Sequence, residues 1–383
     1  MRRLFSTTTM LALLALLAIP LALAACGGSS SSGSAATTTL TLYSGGDVNV
    51  KNLWQNTLIP EFKKTHQDTD IKLVFSEHGT NDTATFARMS AAVSAGKDAG
   101  MDLIDSGVIS QAAQAKLLVP LTTKEVPLLN RVDDSLIKQV SSMAIPYRAS
   151  SVVLAYNSQD VKQPPTTLDE VLAWIKANPG KFTYNSPDTG GSGSAFVQAV
   201  ITSRIPEDAR QNFISGTTYN PSLESQWQPG LNDLKALKSS IYRNGFYPNG
   251  NTAVLQLLAN SSISMAPVWS DQALTSLSQH QLPDSVKLTQ LNPPFMGGPA
   301  FIGIPRTSSH IALAETFLNW LLGPDIQAKI IDVMHGYPGV QWSYVPDQVR
   351  QQYASIAHAY ATGFASKFSA DMNKQWQTQV AGG

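Results

Sequence analysis

The stretch NSPDTGGSGS at 185–194 carries the most specific chemistry in this chain, because Thr189, Gly190, Gly191, Ser192, Gly193 and Ser194 run directly into the apolar helix start Ala195-Phe196-Val197. The first turn of a helix leaves backbone N–H groups without partners, and small residues ahead of it let a ligand oxygen reach them. Such a loop can cradle a phosphate, sulfate, carboxylate or hydroxyl, although a plain N-capped turn would use the same residues. Catalytic readings fit less well. Gly190-Gly191-Ser192-Gly193-Ser194 lacks the closing glycine of a nucleophile elbow, and no Gly-Lys-Ser/Thr follows to form a nucleotide phosphate loop. The six histidines, His66, His78, His280, His310, His335 and His358, are scattered without zinc-ligand spacing. The residues point to a binder that needs no metal and no cofactor.

Other loops offer complementary groups. Tyr43, Ser44, Gly45, Gly46 and Asp47 close an alternating segment, the glycines allowing close backbone approach and Ser44 a hydroxyl. Asp105 and Ser106 form a second candidate, with Asp102 a structural brace, and residues 76–83 a third. Trp227 is a candidate ligand platform, otherwise a core residue. Asp47, Asp105, Asp188 and Asp271 near these loops favour a cation, and an aromatic face such as Trp269 adds cation–π attraction for an amine or thiazolium. With the Gly/Ser loop holding an anionic end, the set fits a zwitterionic or phosphorylated organic cation such as a thiamine-like compound. Polyamines, sugars and oxyanions remain open. Ferric ion is less favoured, because no Tyr-Tyr pair occurs.

The elements around these loops predict how they are positioned. Strand-like segments at 39–43, 71–75 and 101–104 alternate with helical patterns. One such pattern places Val50, Leu53, Trp54, Leu58 and Phe62 on one face, and another carries Phe86, Met89 and Val93. That order predicts a mainly parallel sheet covered on both faces, with ligand loops beyond the carboxyl ends of its strands. At 145–179 an apolar strand ends at Tyr156-Asn157, and Pro164-Pro165 forbid a helix before Thr167 caps the next one with Glu170 as its capping box. The segment reads as a crossover from one lobe to another.

The N-terminus is an export signal: Arg2 and Arg3, then the apolar run 10–25, too short for a membrane span. Leu23-Ala24-Ala25-Cys26 resembles a lipobox, which marks Cys26, the single cysteine, for lipidation and leaves no intramolecular disulfide. Residues 27–39, GGSSSSGSAATTT, have the composition of a flexible tether. The expected location is extracytoplasmic, lipid-anchored to the cell membrane. Basic and acidic residues balance at 27 each, and no basic stripe argues for nucleic acid. The chain is expected to be monomeric.

Four segments together carry a family resemblance: IPYRASSVVLAYN leading to PPT and a helix with Trp174, GKDAGMDLIDSG, ISMAPVWSD, and FLNWLLGPDIQ. In this order they are similar to the extracellular solute-binding proteins of bacterial ABC importers. The resemblance implies an α/β, two-lobed periplasmic-binding-protein-like fold, each lobe a mainly parallel sheet flanked by helices, joined by hinge crossovers. It implies a signal peptide at 1–25, tether at 26–39, first lobe at 40–154 and 266–325, and second lobe at 155–265 and 326–383. It adds Tyr147, Trp269 and Asp271 to the ligand candidates, and a membrane permease with its ATPase as partners. Two alternatives of other classes stay beside it: a secreted lipoprotein hydrolase using Ser192 or Ser194 as nucleophile, and an adhesion or scaffold lipoprotein.

Overall fold

A computed structural model describes residues 37–214, 218–352 and 360–382. The export signal, Cys26 and most of the tether lie outside the described residues.

The strands, in chain order, are β1 (Thr38–Gly46), β2 (Thr69–Glu77), β3 (Leu103–Asp105), β4 (Ala144–Asn157), β5 (Met265–Trp269), β6 (Val286–Thr289), β7 (Gly297–Gly303) and β8 (Tyr337–Pro338). They join in the order β2-β1-β3-β7-β4-β5, with β6 and β8 also paired to β4. The β2-β1-β3 part is parallel, while β7, β4 and β5 run antiparallel to their neighbours. Phe182 makes isolated parallel bridges to Ile241 and Met265.

β4 makes the molecule two-lobed. Its residues 144–151 pair with β7 and its residues 152–157 with β5 and β6, so one strand runs through both halves, as the crossover reading predicts. Side chains alternate across a strand, and here each half of the sheet therefore has a core on both faces. Leu40, Leu42, Leu103 and Ile302 enter one cluster, whereas Ile104 and Phe301 enter the cluster behind it. In the second lobe Val152 and Leu154 pack on one side and Val153 and Ala155 on the other.

The helices that matter for the site follow the same logic. A helical run, α1, starts as Val48–Asn52, widens into a π-helix at Leu53–Leu58 and continues as Ile59–Thr65. Its Val50, Leu53, Trp54, Leu58 and Phe62 all enter the first core, on the face the spacing predicts. The others are α2 (Asp82–Ala95), α3 (Leu168–Ala177), α4 (Gly191–Ser203), α5 (Asn251–Ala259), α6 (Ser270–Ser278), α7 (Ile311–Leu321) and α8 (Pro324–Met334). The Thr167/Glu170 capping box is formed: Thr167 Oγ1 accepts from the Glu170 N–H at 3.3 Å, and Glu170 Oε2 accepts from the Thr167 N–H at 3.1 Å.

Two lobe boundaries differ from the sequence expectation. The chain does not return to the first lobe at residue 266: β5 pairs with the far half of β4, and Val286, Leu291 and Phe295 lie in second-lobe cores. The return is made by β7, a Gly/Pro-rich strand whose Ile302 reaches the first core. Likewise Ile326, Ile330, Ile331 and Met334 of α8 join the first core, against the expectation that residues 326–383 belong to the second lobe, while Phe364, Phe368, Met372, Trp376 and Val380 do enter the second. An apolar helix face specifies that it must be buried, not which core receives it.

Substituting Thr167→Ala removes one half of the capping box and is expected to lower the unfolding free energy by about 1 kcal/mol. Urea unfolding followed by far-UV circular dichroism checks this.

Candidate binding site

The two lobes meet around a cavity of about 340 Å³. The first lobe contributes Gly45, Gly46 and Asp47 from the end of β1, Asn49 and Val50 from α1, and His78, Gly79 and Asp82 ahead of and at the start of α2. The second contributes Thr189, Gly190 and Gly191, Asn251, and the run Trp269, Asp271 and Gln272. Arg148 and Ser150 from β4 and Gly298, Pro299 and Ala300 from β7 form the floor. A second cavity of about 330 Å³, lined by Asp105, Ser106, Ser110, Gln139 and Thr362 among others, shares Arg148 with the first.

Under the floor runs a buried ladder of charged and polar groups. Asp105 Oδ2 accepts from Ser44 Oγ at 2.8 Å, Tyr147 OH at 2.8 Å and Trp54 Nε1 at 3.1 Å. Arg148 Nε donates to Tyr147 OH at 3.0 Å, and its Nη1 lies 3.6 Å from Asp271 Oδ2. Asp271 Oδ1 accepts from Ser150 Oγ at 2.6 Å. Burial lifts the Asp105 carboxyl, and Arg148 together with the three donors pulls it back. Asp271 is likewise raised by burial, with Arg148 opposing. Burial works against the Arg148 charge, yet Tyr147 and the two carboxylates outweigh it, so the guanidinium stays protonated. β4 shifts register between Pro146 and Arg148, which turns the Tyr147 ring into the first core and Arg148 into the cleft.

The cavity wall above this ladder is rich in acceptors. The buried oxygens Asn49 Oδ1 and Gln272 Oε1 have no hydrogen-bond partner. Their amide orientations are fixed by the nitrogens: Asn49 Nδ2 donates to Asp271 at 3.5 Å and Gln272 Nε2 to Thr252 Oγ1 at 3.1 Å. Asp47 Oδ1 lies 2.6 Å from His78 Nδ1. Burial raises Asp82 to about 6, despite the Gly107 N–H and Ser106 hydroxyl bonded to it.

The glycine loop behaves differently from the expected anion cradle. Two first-turn N–H groups of α4 are already capped by carboxamides: Ser192 N donates to Asn251 Oδ1 at 3.2 Å and Gly193 N to Asn185 Oδ1 at 2.8 Å. Ser192 Oγ lies 2.8 Å from both of these oxygens, its one proton shared between them, and the side chain is fully buried. Ser194 is 8% exposed and also outside the cavity wall. A nucleophilic role has no support, since Ser192 faces two amide oxygens rather than a base. The glycines serve close packing: a Cβ on Gly190 would lie 2.6 Å from Asn251 Oδ1, and one on Gly191 2.6 Å from the Trp269 ring.

Of the sequence candidates, Gly45, Gly46, Asp47, Thr189, Gly190, Gly191, Trp269 and Asp271 come together on the main cavity. Asp105 and Ser106 line the adjoining one. Ser44 and Tyr147 brace Asp105 from behind, and Tyr43 turns outward to accept from Arg88 Nη1 at 2.7 Å. Asp102, as expected of a brace, accepts from the Thr41 N–H and from Ser308. Ser192, Gly193 and Ser194 stand behind the wall. Trp227 is not a platform: it is fully buried in the second core, its ring stacked 5.8 Å from Phe364. Sequence reasoning passed over Arg148, Asn251, Asn49 and Gln272. Arg148 was visible as the lone charge in an otherwise apolar or small-residue strand, and Asn251 as the polar residue that starts a helix after Gly250. His78, Gly79 and Asp82 fall in the third candidate loop.

A two-lobed α/β molecule with a polar cleft at its hinge strand defines a class of binding protein, and comparison with known proteins agrees. The sequence profile described as bacterial extracellular solute-binding protein matches residues 57–356. The chain belongs to that family, whose members bind solutes outside the cytoplasm and are not enzymes. Protein YnjB of Escherichia coli strain K12 is 28% identical over 185 residues, so the chain spans about half the length of that relative, at 46% of each protein. Among solved structures, an ABC transporter substrate-binding protein from Bradyrhizobium japonicum superposes with a TM-score of 0.66 at 15% identity, covering 90% of this chain and 100% of that one. A spermidine/putrescine ABC transporter substrate-binding protein from Streptococcus pneumoniae gives 0.62 at 13% identity over 90% and 100%. The apo ferric ion-binding protein A of Pasteurella haemolytica gives 0.62 at 13% identity over 90% and 96%. Among the described residues no helix is long and apolar enough to cross a membrane, and no cluster of three or more His, Cys, Asp or Glu side chains forms a metal site.

Trp227→Ala is expected to cost about 3–5 kcal/mol of stability, as for other buried large-to-small aromatic changes. Trp269→Ala, at a half-buried cleft position, should cost clearly less. Parallel denaturant titrations of the two variants test the separation.

Proposed function

We propose that this chain is the substrate-binding component of an ABC importer, and that it captures a small organic cation rich in N–H donors between its two lobes. The observation that carries the solute class is the set of carboxylates Asp47, Asp82 and Asp271 on one cavity, whose wall also includes the Asn49 and Gln272 side chains. A primary ammonium or amidinium would bring N–H donors to this acceptor-rich wall while its charge meets the carboxylates. Trp269 offers a ring face for cation–π attraction. Arg148 offsets only part of the negative charge, its guanidinium being committed to Tyr147 and Asp271. An oxyanion is disfavoured because the two α4 N–H groups at Ser192 and Gly193 already have acceptors.

In this reading the solute bridges the lobes, β4 and β7 flex as the hinge, and the closed form docks on a membrane permease driven by an ATPase. A ligand can shift the open–closed balance only by its differential affinity for the two states. Cys26, with its acyl chains, would hold the protein at the membrane surface through the tether at 27–39.

A thermal-shift screen of the full-length chain against thiamine, polyamines, amino alcohols, sugars, oxyanions and ferric chelates tests the class. Stabilisation by amines is expected, about 2.7 kcal/mol at a hundredfold excess over Kd; a response confined to oxyanions would overturn the reading.

Asp82 supplies a pH signature. Its folded-state value, about 6, lies above its ordinary one of 3.8, so the empty protein loses stability as pH rises from about 4 to 6 and the buried group ionises. A cationic solute favours the ionised form. Its affinity should therefore rise between pH 5 and pH 7 with proton release on binding, and Asp82→Asn should flatten that rise. Calorimetric titration in buffers of different ionisation enthalpy measures both.

A further inference from the structure

Two groups meet across the cleft. Asn251 Nδ2, at the start of α5 in the second lobe, donates to Asp47 Oδ2 at 2.8 Å in the first lobe. The same carboxamide uses its oxygen to accept Ser192 N and Ser192 Oγ at the start of α4. Asn251 is 6% exposed, and it fixes the ends of two second-lobe helices while reaching for the first lobe. The approach is close because residue 250 is glycine: its φ of +83° suits only glycine, and an added Cβ would lie 3.2 Å from the His78 ring of the opposite lobe. The Gly250 N–H is held by Thr189 Oγ1 at 2.9 Å, so the loop that carries Asn251 is tied to the glycine loop at both ends.

We propose that Asn251 is the positioning residue that latches the lobes, its Asp47 bond setting the balance between closed and open forms. This rests on the closure reading above, but it does not depend on which solute is bound. The oxygen is already engaged within the second lobe, so the only group Asn251 offers across the cleft is a donor, and Asp47 is an acceptor. Polarity fixes the latch. Asn251→Asp keeps an acceptor for Ser192 but sets carboxylate against carboxylate across the cleft. Exchanging the pair, as Asp47→Asn with Asn251→Asp, restores one N–H···O bond in the opposite sense.

The test measures the radius of gyration of the full-length wild type, Asn251→Asp and the exchanged pair by solution X-ray scattering, with and without putrescine as probe. Amide hydrogen exchange at Gly193 is followed alongside, because Asn185 and not Asn251 caps that group. Asn251→Asp is expected to be more expanded than the wild type and to bind putrescine on the order of tenfold more weakly. The exchanged pair should recover compactness, with Gly193 protection unchanged throughout. Identical dimensions for wild type and Asn251→Asp, or an exchanged pair as expanded as the single variant with Gly193 still protected, would overturn the latch. Should putrescine move no variant while the ligand-free difference persists, the latch stands and the amine reading of the solute fails.

Discussion

The buried guanidinium of Arg148 is the constraint around which the cleft is arranged. A charge removed from water is tolerated only when opposite charges and hydrogen bonds replace its hydration. Here Asp105 approaches from the first lobe and Asp271 from the second, with Tyr147 OH between Arg148 and Asp105. Because Arg148 stands on the strand shared by both lobes, its partners must come from both sides of the hinge. The register shift at Pro146/Arg148 places the guanidinium there, and the bulged Tyr147 carbonyl is satisfied by Gln327 Nε2 at 3.2 Å from α8. That bond, with Gln327 Oε1 accepting the Gly339 N–H at 2.7 Å, explains why α8 belongs beneath β4 in the first lobe.

The same arrangement divides labour between fixed and available groups. Asp105 has three donors on one oxygen and braces the floor; Asp271 is engaged through both oxygens, Oδ1 by Ser150 and Oδ2 by Arg148 and Asn49; Asn49 and Gln272 spend their nitrogens on neighbours. An acceptor-rich wall over one committed cation is a field that favours positive solutes. Glycine composition alone does not distinguish this from an anion site. Asn185 and Asn251 turn the glycine loop from an anion cradle into a packed shoulder; Asn185 opens that loop, while Asn251 comes from the start of α5.

Local signals were legible wherever the physics is local. The capping box at Thr167 and Glu170, the inward face of α1 and the two-lobe crossing at β4 all follow from spacing within a dozen residues. The loop after β1 follows from the rule that ligands sit beyond strand ends, which needs only the order of elements, whereas Trp269 and Asp271 after β5 come from the family resemblance. What failed depends on distant partners. Trp227 looked like a platform because an aromatic in a polar stretch carries no mark of whether Phe364 will stack on it. β5 and β7 were interchanged as the return crossing because apolar MAPVW looks more strand-like than GGPAFIG, although the glycines of β7 suit its tight passage: a Cβ on Gly297 would lie 2.6 Å from the Ser150 carbonyl.

Fold alone does not choose the solute. A structure described for spermidine and putrescine and one described for ferric ion superpose on this chain equally well, at a TM-score of 0.62 each. The difference among such proteins must then lie in the side chains that the shared backbone presents at the cleft. In this chain the described residues offer no three-ligand acidic or histidine cluster for a metal, but the cavity wall does carry an indole and a carboxylate, Asp82, whose ionisation burial resists. Asp82 of one lobe and Gln272 and Trp269 of the other face the same cavity, so a solute touching all of them is held best where the lobes lie together, and its differential affinity for that form would arise from these contacts.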